Sequence, residues 1–83
     1  MELKISWKDI ENHVFDDSGI HNEGKPNVKL WFVKGYAINH LTAKLVLLGI
    51  GGVDHSQYEN SITINIPEHV KFSYDSEFVK FEV

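Results

Sequence analysis

Within "AINHLTAKLVLLG", Ile38, Leu41, Leu45 and Leu48 recur three or four residues apart, while Asn39, His40, Thr42 and Lys44 fall on the other side. That spacing is one apolar stripe of an amphipathic helix. Gly49 stands where helices commonly close on a left-handed residue. The stretch predicts a helix over residues 37–49, and Ile50 as the hydrophobic contact beyond its cap. A rival reading takes "AKLVLLGI" as a buried strand.

The rest of the chain alternates with a period of two. "LKISW" puts Leu3, Ile5 and Trp7 on one side, "VKLWFV" sets Val28, Leu30 and Phe32 against Lys29 and Trp31, and "SITINIP" sets three isoleucines against Thr63 and Asn65. Alternation of this kind marks strands with one buried face, although "VKLWFV", where Val33 follows Phe32, reads as buried on both faces near its middle. "VKFSYDSEFVKFEV" reads as a hairpin over residues 70–83. Its turn is Asp75–Phe78, Lys71 faces Glu82, and Val70, Phe72 and Tyr74 share a face with Val79, Phe81 and Val83. Two readings stay open for "WKDIENHVF". Trp7, Ile10 and Val14 fit a helical stripe, and Ser6 with Asp9 resembles a capping box; the alternative is an irregular arm after the first strand. Asp16–Asn27, rich in Asp, Asn, Gly and Pro, reads as a long surface loop, and "HSQYEN" as another.

These segments predict a single small domain of the α+β class spanning residues 1–83. It has an antiparallel sheet of about four strands, the main helix (37–49) packed on one face, and the C-terminal hairpin (70–83). The last three strands are expected to form a meander, and the helix is the one connection long enough to cross the sheet.

Composition narrows the chemistry. The 83 residues contain no cysteine, which excludes disulfides, thiolate zinc sites and thiol catalysis. The longest apolar runs fall far short of a membrane span, and the N-terminus lacks the apolar core of a secretory signal, so a cytoplasmic location without membrane contact is expected. Twelve acidic residues oppose eight basic ones for a net charge of -4, and every basic residue is lysine. Without arginine, the usual reader of phosphates and guanine edges, an acidic chain is a poor direct binder of nucleic acid. It suits a basic protein partner.

No motif announces catalysis. "GIGGVDHS" (49–56) has the glycines of a phosphate cradle, but they follow a helix rather than precede one, so they would meet its carbonyl end, which repels anions. It reads instead as a helix stop, with a positive-φ turn at Gly51 or Gly52, presenting Asp54 and His55. The five histidines lack the close spacing of zinc ligand pairs. No metal or cofactor is expected, and the chain is not read as an enzyme.

Trp31 and Phe78 are out of phase with the apolar residues beside them. If the sheet has one open face, both lie on it, and aromatics ringed by acids suit a protein-binding surface; the alternative is that the Asp16–Asn27 arm or a second copy of the chain covers that face. The expected function is a small acidic inhibitor that occupies a basic, nucleic-acid-binding surface on a partner protein, possible partners being nucleases. Immunity proteins and phage anti-restriction or anti-CRISPR proteins act in this way. In size, acidity and aromatic C-terminal hairpin the chain is similar, at the level of architecture alone, to one class of colicin immunity proteins. The expected partner-binding residues are Asp16, Asp17, Glu23, Trp31, Asp54, Glu59 and Phe78. The alternatives are a structural homo-oligomer, such as a homodimer paired through the open face or an edge strand, and a small hydrolase or ribonuclease using histidine.

Overall fold

The computed structural model describes residues 1–17 and 24–83. Along the chain run β1 (Glu2–Ser6), a 3-10 turn (Trp7–Asp9), β2 (Ile10–Asp16), β3 (Asn27–Phe32), α1 (Ile38–Leu47), β4 (Val53–Ser56), β5 (Ser61–Asn65), β6 (Lys71–Tyr74) and β7 (Phe78–Glu82). The class is α+β, as expected. The strands, however, make two antiparallel sheets, ordered β1-β7-β6 and β2-β3-β5-β4. No helix among the described residues is long and apolar enough to cross a membrane.

One core serves both sheets and the helix. The inner face of the four-stranded sheet contributes Val28, Leu30, Phe32, Ile62 and Ile64. The helix adds Ile38, Leu41, Leu45 and Leu48, and the three-stranded sheet adds Ile5, Val79 and Phe81. Helix and smaller sheet thus cover the same side of the larger sheet, and among the described residues its other face is open. Tyr36 stacks on Phe32 with centroids 4.3 Å apart where the chain leaves β3 for the helix.

The helix ends as the glycine predicts. Gly49 has φ +79, its N–H donates to the Val46 carbonyl at 2.9 Å, and the Ile50 N–H donates to the Leu45 carbonyl at 3.1 Å. These paired bonds form a Schellman cap, with buried Ile50 and Leu45 as its hydrophobic contact. His69 Nε2 lies 3.0 Å from the Leu48 carbonyl. A Cβ on Gly49 would stand 2.9 Å from that same nitrogen. The positive φ expected at Gly51 or Gly52 is absent from both; Gly52 instead accommodates the close approach of the Asn65 side chain.

Three expectations need correcting. Of the two readings left open for residues 7–16, neither the helix nor the irregular arm forms. Ser6 caps only a three-residue 3-10 turn, accepting from the Lys8 N–H, and the chain continues as β2 paired with β3. A register shift between Ile10 and Asn12 inserts one extra residue, Glu11, and the strand then sets polar His13 on the inward row and apolar Val14 on the outward one, so no two-residue apolar period marks it. "VDHS" is a strand rather than part of a loop, pairing Val53, Asp54, His55 and Ser56 with β5. The C-terminal meander does not form either. After β5, Ile66 donates to the Pro26 carbonyl and Val70 to the Pro67 carbonyl. This turn at Pro67, which lacks an N–H for any ladder, carries the chain into the other sheet. The hairpin itself has the expected register, Lys71 opposite Glu82 and Tyr74 opposite Val79. The helix does cross the larger sheet, linking β3 to β4 over the place that β5 fills.

Gly49→Ala, which combines a left-handed backbone with a collision against His69, is expected to cost about 1–2 kcal/mol in urea unfolding. Gly51→Ala, with open space around it, is expected to stay within about 0.5 kcal/mol of the parent.

Candidate functional site

The open face of the four-stranded sheet follows from register. Partners directly opposite share a face, so three outward rows can be read across it. The first is Asn12, Trp31, Ser61 and Ser56; the second Val14, Lys29, Thr63 and Asp54; the third Asp16, Asn27 and Asn65. Their inward neighbours on β3, Val28, Leu30 and Phe32, are buried, and this obliges Lys29 and Trp31 to point outward.

Around Trp31 these rows make a defined cluster. Lys29 Nζ lies 4.7 Å from the centre of the Trp31 ring and 3.2 Å from Glu59 Oε2, and the Ser61 hydroxyl donates to the same oxygen at 3.2 Å. The hydrogen bond from Lys29 first, then that from Ser61, hold the Glu59 carboxyl below its ordinary pKa. Glu11, Asn12, Trp31 and Glu59 line an open hollow of about 430 Å³. Glu11 and Glu59 also border a second hollow of about 350 Å³, which includes Lys34 and Tyr58. Tyr58, at the tip of the β4–β5 turn, is 99% exposed.

That turn is anchored by Asn60, which adopts φ 53. Its side-chain amide donates to the Phe32 carbonyl at 3.1 Å and to the Val33 carbonyl at 2.7 Å. The same residue therefore ends β3 and positions Glu59 beside Lys29.

Of the residues expected to bind a partner, Asp16, Trp31 and Asp54 lie on this face, and Glu59 reaches over its edge. Asp16 accepts from the Asn27 side chain at 3.4 Å. Asp17 is exposed immediately after β2, and Glu23 lies outside the described residues. Phe78 does not join them. It opens β7 opposite Ser6 on the outward face of the smaller sheet, with Lys4 Nζ 5.4 Å from its ring. Trp31 and Phe78 would share one open face only in a single sheet; here each sheet has its own.

Glu11, Lys29 and Tyr58 belong to the site without having been expected there. The bulge conceals Glu11 and the cation–ring contact requires the fold, while an aromatic residue in the polar run "HSQYEN" was a legible signal for Tyr58. Among the described residues, no group of three His, Asp or Glu side chains could hold a metal ion. No family model, curated protein or solved structure matches the chain.

A second aromatic group lies at the seam between the sheets. His13 lies between Trp7, which it meets edge to face, and Phe15, which it meets at a tilt, with centroid distances of 4.9 and 4.7 Å, and Phe15 meets Phe72 and Tyr74. Trp7 Nε1 donates to the Asp75 carbonyl at 2.7 Å. The Asp75 carboxylate accepts the Glu77 and Phe78 N–H groups and pairs with Lys80 at 3.0 Å. Those backbone donors, then Lys80, lower its pKa to about 2.

The depressed Asp75 pKa means that its contribution to stability is complete above the ordinary carboxylate pKa near 4 and is lost as pH falls through about 2. Thermal unfolding between pH 5 and 2 is expected to show a smaller acid-induced drop for Asp75→Asn than for the parent. Asn60→Ala, which removes two hydrogen bonds at a left-handed position, is expected to cost about 1–3 kcal/mol in urea unfolding.

Proposed function

We propose that the chain is a small acidic binding protein that seats the open face of its four-stranded sheet on a basic, nucleic-acid-binding surface of another protein. The carboxylates take the places of phosphates and block the partner by charge and bulk. This is how immunity proteins and phage anti-defence proteins act on nucleases, and such a partner would be met in the cytoplasm.

The observation that carries this reading is the separation of charge between the two open faces. Glu11, Asp16, Asp54 and Glu59 lie on or beside the larger sheet's face, where the lysines among the described residues are Lys29, already paired with Glu59, and Lys34, which borders a hollow with Glu11 and Glu59. The smaller sheet's outward rows bring Lys4, Lys80 and Lys71 together with Glu2 and Glu82, so charge there is mixed. Trp31 and Tyr58 place aromatic surface among the acids, and aromatic residues are the commonest energetic anchors of protein interfaces.

The test compares two doubly reversed variants with the same change in net charge. Glu11→Lys/Asp54→Lys alters the face; Glu68→Lys/Glu77→Lys alters exposed acids elsewhere. Each is immobilised, and capture of nucleic-acid-binding proteins from a bacterial lysate is measured across a salt series with competing DNA. The face variant is expected to lose about tenfold in low-salt capture and most of its salt dependence. The other variant should retain DNA-competable capture. Equal behaviour of the two variants would contradict the proposal.

A further inference from the structure

The hollow beside Trp31 presents two carboxylates and an amide, from Glu11, Glu59 and Asn12, next to an indole ring. A planar cation could stack on the ring and donate to these oxygens together. The chain's own Lys29 already engages part of this chemistry, with Nζ near both the Trp31 ring and the Glu59 carboxylate. Lys29 does not line the hollow, so it steadies ring and carboxylate without filling the space. The Glu11 carboxylate has no ion pair or hydrogen bond among the described residues. The chain contains no arginine, so no guanidinium of its own could occupy the place.

We infer that this hollow is the seat of a single arginine side chain of the basic partner protein, stacked on Trp31 and held by Glu11 and Glu59. The inference rests on the proposed function and names the group that the face recognises. Arginine fits better than lysine because its guanidinium is flat, stacks on aromatic faces and carries donors in a fork that can address two carboxylates at once.

The probe is the capped tripeptide Gly-Arg-Gly, with Gly-Lys-Gly and Gly-citrulline-Gly as comparisons; citrulline keeps the shape of arginine and loses its charge. Each is titrated to about 10 mM, a range suited to a single-side-chain contact, while the two tryptophan indole N–H signals are followed by NMR. The arginine peptide is expected to move the Trp31 signal and leave Trp7 in place. The lysine peptide should bind several-fold more weakly, and the citrulline peptide should not bind. Glu11→Gln, a change at an exposed position, is expected to weaken arginine binding about two- to fivefold. An unmoved Trp31 signal, equal shifts with citrulline, lysine binding as tight as arginine, or unchanged affinity in Glu11→Gln would each overturn the assignment. If the peptide fails while Glu11→Lys/Asp54→Lys still loses capture, the binding face stands and the arginine seat falls. If the peptide binds while capture ignores the face, the proposed function falls instead.

Discussion

The pairing of β3 with β5 is the constraint on which the rest depends. Val28 lies opposite Ile64 and Leu30 opposite Ile62, and all four are fully buried beneath the helix and the smaller sheet. Because side chains alternate strictly along a strand, a slip of one residue would carry this apolar set to the solvent side. The same rule sends Lys29, Trp31 and Thr63 outward. The open face is therefore a consequence of the core: the residues that hold the domain together also determine which polar and aromatic groups are presented.

How far the fold could be read in advance follows from where local pattern and tertiary context agree. The helix, its glycine cap, β5 and the C-terminal hairpin each carry an undisturbed period, and they lie where the pattern put them. β2 does not, because its inward row holds polar His13 and its outward row apolar Val14, and the extra residue at the bulge breaks the period again. β4 is short and sits at a sheet edge, so Asp54 and His55 are exposed and the run resembles a turn. The division into two sheets could not be read at all, because it depends on where the chain turns after Pro67, and a proline alone marks an edge or an ending without naming the next partner.

The site was legible in the same uneven way. Trp31 was visible because it breaks the phase of its apolar neighbours. In the sequence Asp54 and Glu59 read as loop acids; they share a surface because β4 and β5 pair. Phe78 carried the same phase signal as Trp31 and lies on the other sheet, so phase reports that a residue faces outward without saying which outer face it occupies. Lys29 is an ordinary strand lysine in the sequence, and its place against both an indole and a carboxylate emerges only when strand and turn are brought together.

The central claim, an acidic open face opposite a mixed one, is tested most directly by the local electrostatic potential at each surface. Two nitroxide probes of equal size, one cationic and one anionic, are added separately, and paramagnetic relaxation of the amide and indole protons is measured at low salt. The cationic probe is expected to relax Glu11, Asp54, Glu59 and the Trp31 indole more strongly than the anionic one. That preference should vanish or reverse around Lys4, Lys71 and Lys80, and should shrink everywhere as salt is raised. Equal relaxation by the two probes at the Trp31 face, or a stronger effect of the anionic probe there, would contradict the account.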